Sequence, residues 1–499
     1  MSQAYFFKEE KNLLGKKQLF ILSLSSMIGI GVFIKSRNLN ELANFEFLPI
    51  IFLFLFAAII ISAMIFLFIK LIQNSSTTGR SFIEWVEKYC GKDFVAWSVR
   101  FTKDFALPIG IITTSIYLLK WIAGTNFLWV WEISALSLVI AALIMSLNVF
   151  SFKISEKFQR TLFIFIIFSL LFVAIMGLIS IFQETNSNPK ISRNNENKLE
   201  GLNSLSSWTI LLSGLPAIFF MYDGFYSVLS LKEQAKLKTS FTKIILYSLY
   251  TITAIYLLII SITLLGDKEK GYFLNFQIFK DKNWKDVLTI LIFLTFASSL
   301  NIACMCSQQQ LLQLHYKYDF SDLHWIRKRL LNRGKNLMNF HFECKLSGLF
   351  HLIKNMFICV FLMSLITQLN YWISPSSAGS IFWDLNDMLA EQISLFIFVI
   401  LGAVIWKSRN QNNFRFYKLL HYLVSFSIFG AILYYFLNTL IEFAWNTTFS
   451  SFMKIVLFLV MIIIPAIPYL KTILFRNRSE GRIIRFKREN QLLNNTFSQ

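Results

Sequence analysis

Two short stretches set helix-weakening residues inside apolar runs of membrane length. Met27-Ile28-Gly29-Ile30-Gly31-Val32-Phe33 places two glycines across one residue, and each glycine costs a helix roughly 1 kcal/mol relative to alanine. Leu215-Pro216 opens the second run, in which Phe220-Met221-Tyr222-Asp223-Gly224-Phe225 sets a carboxylate beside a glycine. Backbone that leaves a helix within a bilayer is tolerated only where protein covers it or where it lines a wet cavity. Its freed N–H and C=O groups then become ligand groups. The N-terminal end of a half-helix offers donors and partial positive charge to a carboxylate, while unwound carbonyls suit an ammonium or a cation. The chemistry is recognition of a small zwitterion, such as an amino acid. For the Gly-x-Gly alone, close helix packing is an equal reading. Packing explains Asp223 less well, since a carboxylate at the membrane centre costs at least about 2.5 kcal/mol unless it is paired or hydrated.

The elements that must hold these stretches follow from composition. Of 499 residues, 55% are hydrophobic and 15% charged, against roughly 45–50% and about 25% in soluble domains. Aromatic residues reach 17%, with 54 phenylalanines spread along the whole chain, which excludes a soluble domain on a single anchor. A hydrocarbon core of about 30 Å needs around 20 apolar residues per helix. On that measure the fold class is an all-α membrane protein of about twelve transmembrane helices. The spans fall near 18–34, 48–69, 94–119, 128–150, 161–182, 208–230, 241–265, 287–312, 347–369, 380–406, 415–439 and 450–470. Arg100, Lys103 and Asp104 interrupt the third, and Asp384, Asp387 and Glu391 the tenth. The broken spans one and six each open a set of five, the arrangement expected of an inverted repeat with its site at the repeat interface. The chain divides into a 1–17 N-terminus, a 18–182 first five-helix repeat, a 208–406 second repeat, helices eleven and twelve over 415–470, and a basic 471–499 tail.

A formal charge of +20 on a soluble domain would point to nucleic acid. Here the Lys and Arg residues fall in alternate short loops, as cytoplasmic loops do, so no nucleic-acid partner is expected. Lys70, Arg80, Lys88 and Lys92 share a side with Lys153, Lys157 and Arg160, while 370–379 and 440–449 carry none. Both termini are thus expected in the cytoplasm of a multi-pass protein of the cytoplasmic membrane, in contact with lipid. The five cysteines (Cys90, Cys304, Cys306, Cys344, Cys359) are odd in number and imply no disulfide framework. Cys304 and Cys306 lie on different faces of a helix, and His341 with Cys344 is too small a set, so no metal site or cofactor is expected. HExxH, Gly-x-Ser-x-Gly and nucleotide-binding Gly-x-x-x-x-Gly-Lys-Ser/Thr motifs are all missing, which argues against an intramembrane enzyme and an ATP-driven pump.

These residues resemble the amino acid-polyamine-organocation superfamily of permeases. Ile28-Gly29-Ile30-Gly31-Val32-Phe33 is similar to its span-one motif, and Gly79 with Tyr89-Cys90-Gly91-Lys92 to its approach to span three. Asn148 with Lys153-Ile154-Ser155-Glu156-Lys157-Phe158-Gln159 resembles its loop between spans four and five. The fullest likeness is Leu215 to Ser227 with Glu233, in span six, and Ser298-Ser299-Leu300-Asn301 is a fainter one. The resemblance implies uptake or exchange of amino acids by alternating access. Carried over, backbone N–H groups around Gly29, Ile30 and Gly31 would hold the substrate carboxylate. Carbonyls at Met27, Phe220 and Asp223, in the Tyr222-Asp223-Gly224 break, would accept from its ammonium, with Phe220 as the lid. The alternatives are a polyamine or other organic cation permease and, from a different class, a channel. Few polar residues lie at mid-depth, which favours a pocket over a through-going wet path.

Two positions depart from the family. Ile30 stands where Ser, Ala or Thr is usual, and Ile166 aligns with the lysine of proton-coupled relatives. Coupling then falls to proton transfer at Asp223 or Glu391, or to substrate exchange. Sodium held by Ser298 and Ser299 ranks third, because hydroxyls on a helix more often bond its own carbonyls. Glu391 is also a candidate partner for a cationic substrate, whereas Asp384 and Asp387 read as a solvated outer end.

Overall fold

A computed structural model describes residues 14–29, 31–42, 47–73, 82–123, 129–186, 214–234, 241–266, 273–317, 337–373, 378–409, 415–446 and 449–474. Ile30, most of 184–207 and of 313–346, and the tail beyond 474 lie outside the described residues. Among those described, ten helices are long and apolar enough to cross a membrane. Spans two (Phe47–Gln73), four (Val130–Phe150), five (Phe152–Asn186), seven (Phe241–Gly266) and eight (Lys282–Lys317) are unbroken. So are nine (Leu337–Ile373), ten (Ala378–Ser408), eleven (Arg415–Asn446) and twelve (Phe449–Leu474).

Span one is two helices, Lys16–Met27 and Gly31–Leu42. Ile28 leaves helical geometry at φ −73°, ψ 74°, and the Gly29 N–H reaches back only to the Met27 carbonyl, at 2.7 Å. The second half runs beyond the expected end at residue 34, which carries Lys35 into the bundle.

Spans three and six are the two expected crossings outside that set of ten. Span three is helical throughout, as Lys92–Arg100, a π-turn over Phe101–Ala106, and Leu107–Ala123. Its three charges fall at or in the π-turn, where Lys103 is buried and Asp104 meets His351 of span nine at 3.0 Å. Span six is helical over 214–221, turns at 222–226, and continues as a 3-10 helix, Ser227–Gln234.

The connection between spans four and five departs from the expected loop. Only Ser151 is non-helical there, with φ −155° and ψ 107°. Lys153 to Gln159 are therefore the first turns of span five, a change that puts Ser155 and Gln159 on a helix face toward span eight. Spans five and eight exceed the bilayer's need of about 20 residues, and they form the most extensive helix pair in the bundle.

Candidate functional site

The two breaks face one another. A methyl group at Gly31 would lie 2.9 Å from the Met221 Cα, and one at Gly224 would lie 2.3 Å from the Ser26 carbonyl oxygen. Gly224 also holds φ 102°, a left-handed conformation that only glycine adopts at little cost. Both glycines are thus packing positions between the two half-helix pairs as well as walls of the space beside them. The Tyr256 hydroxyl, from span seven, donates to the Met27 carbonyl at 2.7 Å and lies 3.0 Å from the Met221 carbonyl. With the Gly29 N–H on the same oxygen, both acceptor sites of Met27 are engaged. An ammonium could use that carbonyl only by displacing one of them. The opening N–H groups of the Gly31 helix have no intrahelical partners by position, and Gly29 has ordinary spacing, its nearest neighbour being the Ser299 hydroxyl at 3.8 Å.

Beside the breaks lies a cavity of about 160 Å³ lined by spans one, three, six, eight and ten. On span eight it reaches from Ser299 to Gln310, about 16 Å at 1.5 Å per residue, toward the face where span one begins. Asp223 lines it, held on Oδ1 by the Gly224 N–H at 2.8 Å and on Oδ2 by the Ser394 hydroxyl at 2.5 Å. These bonds compensate a carboxylate at membrane depth, with no salt bridge to it among the described residues.

Toward the opposite face a charged cluster closes over the breaks. Lys35 is 1% exposed and lies 2.6 Å from Glu391 and 3.9 Å from Asp387. The Tyr117 hydroxyl donates to Asp387 as well. The Lys35 ammonium sits 5.7 Å from the centroid of Phe220, a half-buried ring that lines the cavity. Glu391 is therefore partnered within the protein, and Asp387 belongs to the cluster, while Asp384 is exposed as a solvated end would be. Lys35 was missed from sequence because it follows an apolar run and reads as its boundary. The signal was the polar stretch Lys35-Ser36, which continues a helix whose break lies only one turn earlier.

Of the expected site residues, Met27, Gly29, Gly31, Phe220, Asp223 and Gly224 all line the cavity. The Tyr222 side chain does not. It is fully buried and donates to Thr253 of span seven at 3.0 Å. The two span-eight hydroxyls are also separated: Ser299 lines the cavity and donates to the Thr295 carbonyl. Ser298 is fully buried and accepts from Gln159 Nε2 at 2.7 Å, so its oxygen is turned to span five.

That bond belongs to a clamp that absorbs two of the sequence motifs. Asn301 Nδ2 donates to Gln159 Oε1 at 2.8 Å and to the Ser155 carbonyl at 3.2 Å. Its Oδ1 accepts from Ser155 and Asn148. All four side chains are buried, and a satisfied buried network fixes register between helices. Asn301→Leu should strand the Gln159 oxygen and destabilise the protein by about 1–3 kcal/mol. A lower melting temperature in detergent, with the cavity residues untouched, is the expected result, and no change would show that the clamp adds nothing to stability.

No curated protein matches the sequence. Among solved structures, MhsT in complex with L-phenylalanine is similar at a TM-score of 0.46 and 12% identity, covering 85% of this chain and 99% of that one. The Eremococcus coleocola manganese transporter, in complex with an aromatic bis-isothiourea substituted compound, is similar at 0.44 and 11%, covering 95% and 96%. The family model described as amino acid permease matches residues 14–464, and with nearly its whole length accounted for in this way, the chain belongs to the amino acid permease family.

Proposed function

We propose that the protein is a secondary transporter that moves amino acids across the cytoplasmic membrane by alternating access. The observation that carries this reading is the pairing of two broken helices beside one cavity, with helix-start N–H groups at Gly31 that lack intrahelical acceptors and a carboxylate at Asp223. A zwitterion needs both signs of partial charge in one place, and such a pair of breaks supplies them without a buried salt bridge. Met27 drops out as a ready acceptor. The Phe220 and Asp223 carbonyls remain for the ammonium, and Phe220 remains as the ring over it.

The loop charges argue that the basic face is cytoplasmic. The cavity then extends toward the cytoplasm, and the Lys35, Glu391, Asp387 and Tyr117 cluster closes the outer side. Coupling through a carboxylate, or exchange, ranks above sodium, because Ser298 already accepts from an amide.

Uptake of labelled amino acids into proteoliposomes holding the full chain tests this. Accumulation that survives replacement of sodium by potassium is expected, with Phe220→Ala weakening apparent affinity while expression holds. Any pH dependence should vanish in Asp223→Asn or Glu391→Gln. A steep sodium requirement lost in Ser299→Ala would reverse the coupling order. Absence of uptake and of binding for every amino acid class would sink the reading itself.

A further inference from the structure

Four glycines line the cavity, and they differ in what surrounds them. Gly31 and Gly224 abut the opposing backbone, and Gly29 has neighbours at ordinary spacing. Gly110, on span three, has nothing within 4 Å of the place a methyl group would occupy. It opens on empty space within the cavity wall, in a helix that alanine or leucine would suit better than glycine. The absence of a side chain there is not required by helix packing or by backbone conformation.

The wall around that space is largely apolar, and its polar groups are uncharged apart from Asp223; the buried oxygens of Thr102 and Gln310 have no hydrogen-bond partner among the described residues. Ala390, Ile393 and Ile397 recur at intervals of three and four on span ten and line the cavity together. The Thr113 and Thr114 hydroxyls both donate to the Gly110 carbonyl, at 3.3 and 2.8 Å, and so have no hydrogen left for a ligand. Among the lining residues none is Lys, Arg or His. The one carboxylate, Asp223, accepts on both oxygens from Gly224 and Ser394. An acidic side chain would find no counter-charge among the lining residues, and a basic one would find a single carboxylate already stabilised by two donors.

From this wall we infer that the substrate is an amino acid with a large uncharged side chain, and that Gly110 sets the size it accepts. This rests on the proposed transport of amino acids and names the substrate class of that same site. The α-amino and carboxylate groups lie at the breaks, and the side chain extends toward spans three and ten.

The test is uptake of radiolabelled leucine and, separately, alanine into proteoliposomes holding the full chain. Unlabelled glycine, alanine, leucine, phenylalanine, lysine and aspartate serve as competitors. In the wild type, leucine and phenylalanine should compete best, with lysine and aspartate ineffective. In Gly110→Leu, inhibition by leucine and phenylalanine should weaken at least about tenfold, while alanine stays within about twofold. Gly110→Ala should fall between the two and melt no lower than wild type, which guards against a folding defect. Lysine or aspartate as the best competitor would overturn the inference while leaving amino acid transport intact. So would an unchanged rank order in both variants, or an equal loss for every substrate. If no amino acid of any class is taken up or bound by the wild type, both readings fall together.

Discussion

Gly224→Ala is expected to abolish uptake and to lower the yield of folded protein, whereas Gly29→Ala is expected to leave the fold intact. The contrast comes from the space each residue has. A methyl group on Gly224 would sit 2.3 Å from the Ser26 carbonyl oxygen, far inside any permitted contact, in a backbone held at φ 102°. The conformation alone costs roughly 1–2 kcal/mol for a residue with a side chain. The collision is with backbone, so no side-chain rotation relieves it, and the two broken helices must separate. Gly31→Leu should behave in the same way, since its first added carbon would meet Met221 at 2.9 Å. Gly29 has 3.8 Å to its nearest neighbour and should change binding alone. Size-exclusion profiles, melting temperatures and substrate binding, measured on detergent-solubilised variants, separate these outcomes. Normal folding of Gly224→Ala would show that the two breaks do not pack as described.

Lys35→Met is expected to reduce uptake at least tenfold and to destabilise the protein, by the lower part of the about 3–5 kcal/mol typical of breaking a buried ion pair. Lys35 is buried, but Glu391 and Asp387 keep 20% and 27% of their side-chain surface exposed, so water offsets part of the loss. Glu391→Gln should cost less, because Asp387 still faces the ammonium at 3.9 Å. The double variant Lys35→Met with Glu391→Gln should melt closer to wild type than Lys35→Met alone, since only one carboxylate is then left unpaired. Uptake in that double variant should stay low, because the ion pair that joins spans one and ten is gone. Wild-type uptake in Lys35→Met would show that the cluster has no part in the cycle. Equal melting temperatures for the single and double variants would show that the charges do not interact.

Much of the molecule was legible in the amino acids because a bilayer enforces simple rules. Apolar runs of about 20 residues must be helices, and breaks inside them can only be covered or functional. Gly29, Gly31 and Asp223-Gly224 could therefore be singled out without coordinates, whereas Asn148, Ser155, Gln159 and Asn301 stood out only through the family resemblance. What each position touches depends on contacts between residues far apart in the chain, and periodicity says nothing of these. Tyr256 lies 229 residues from the Met27 carbonyl it bonds, and nothing near either residue announces the pair. Tyr222 looked like part of the site because it adjoins Asp223, but neighbours at a helix break point to different surroundings.

Composition, span length and the placement of glycine, proline and aspartate by themselves determined a helical membrane protein with two interrupted helices. Those properties are local, and they follow from the cost of exposing backbone polar groups to hydrocarbon. Tertiary structure alone decided that the two glycine breaks lock against each other and that Asp223 is held by Ser394. It also decided that Lys35 joins Glu391 and that Ser298 turns to Gln159 while Ser299 lines the cavity. A buried polar group must find a partner somewhere, but which one it finds is set by how the helices cross.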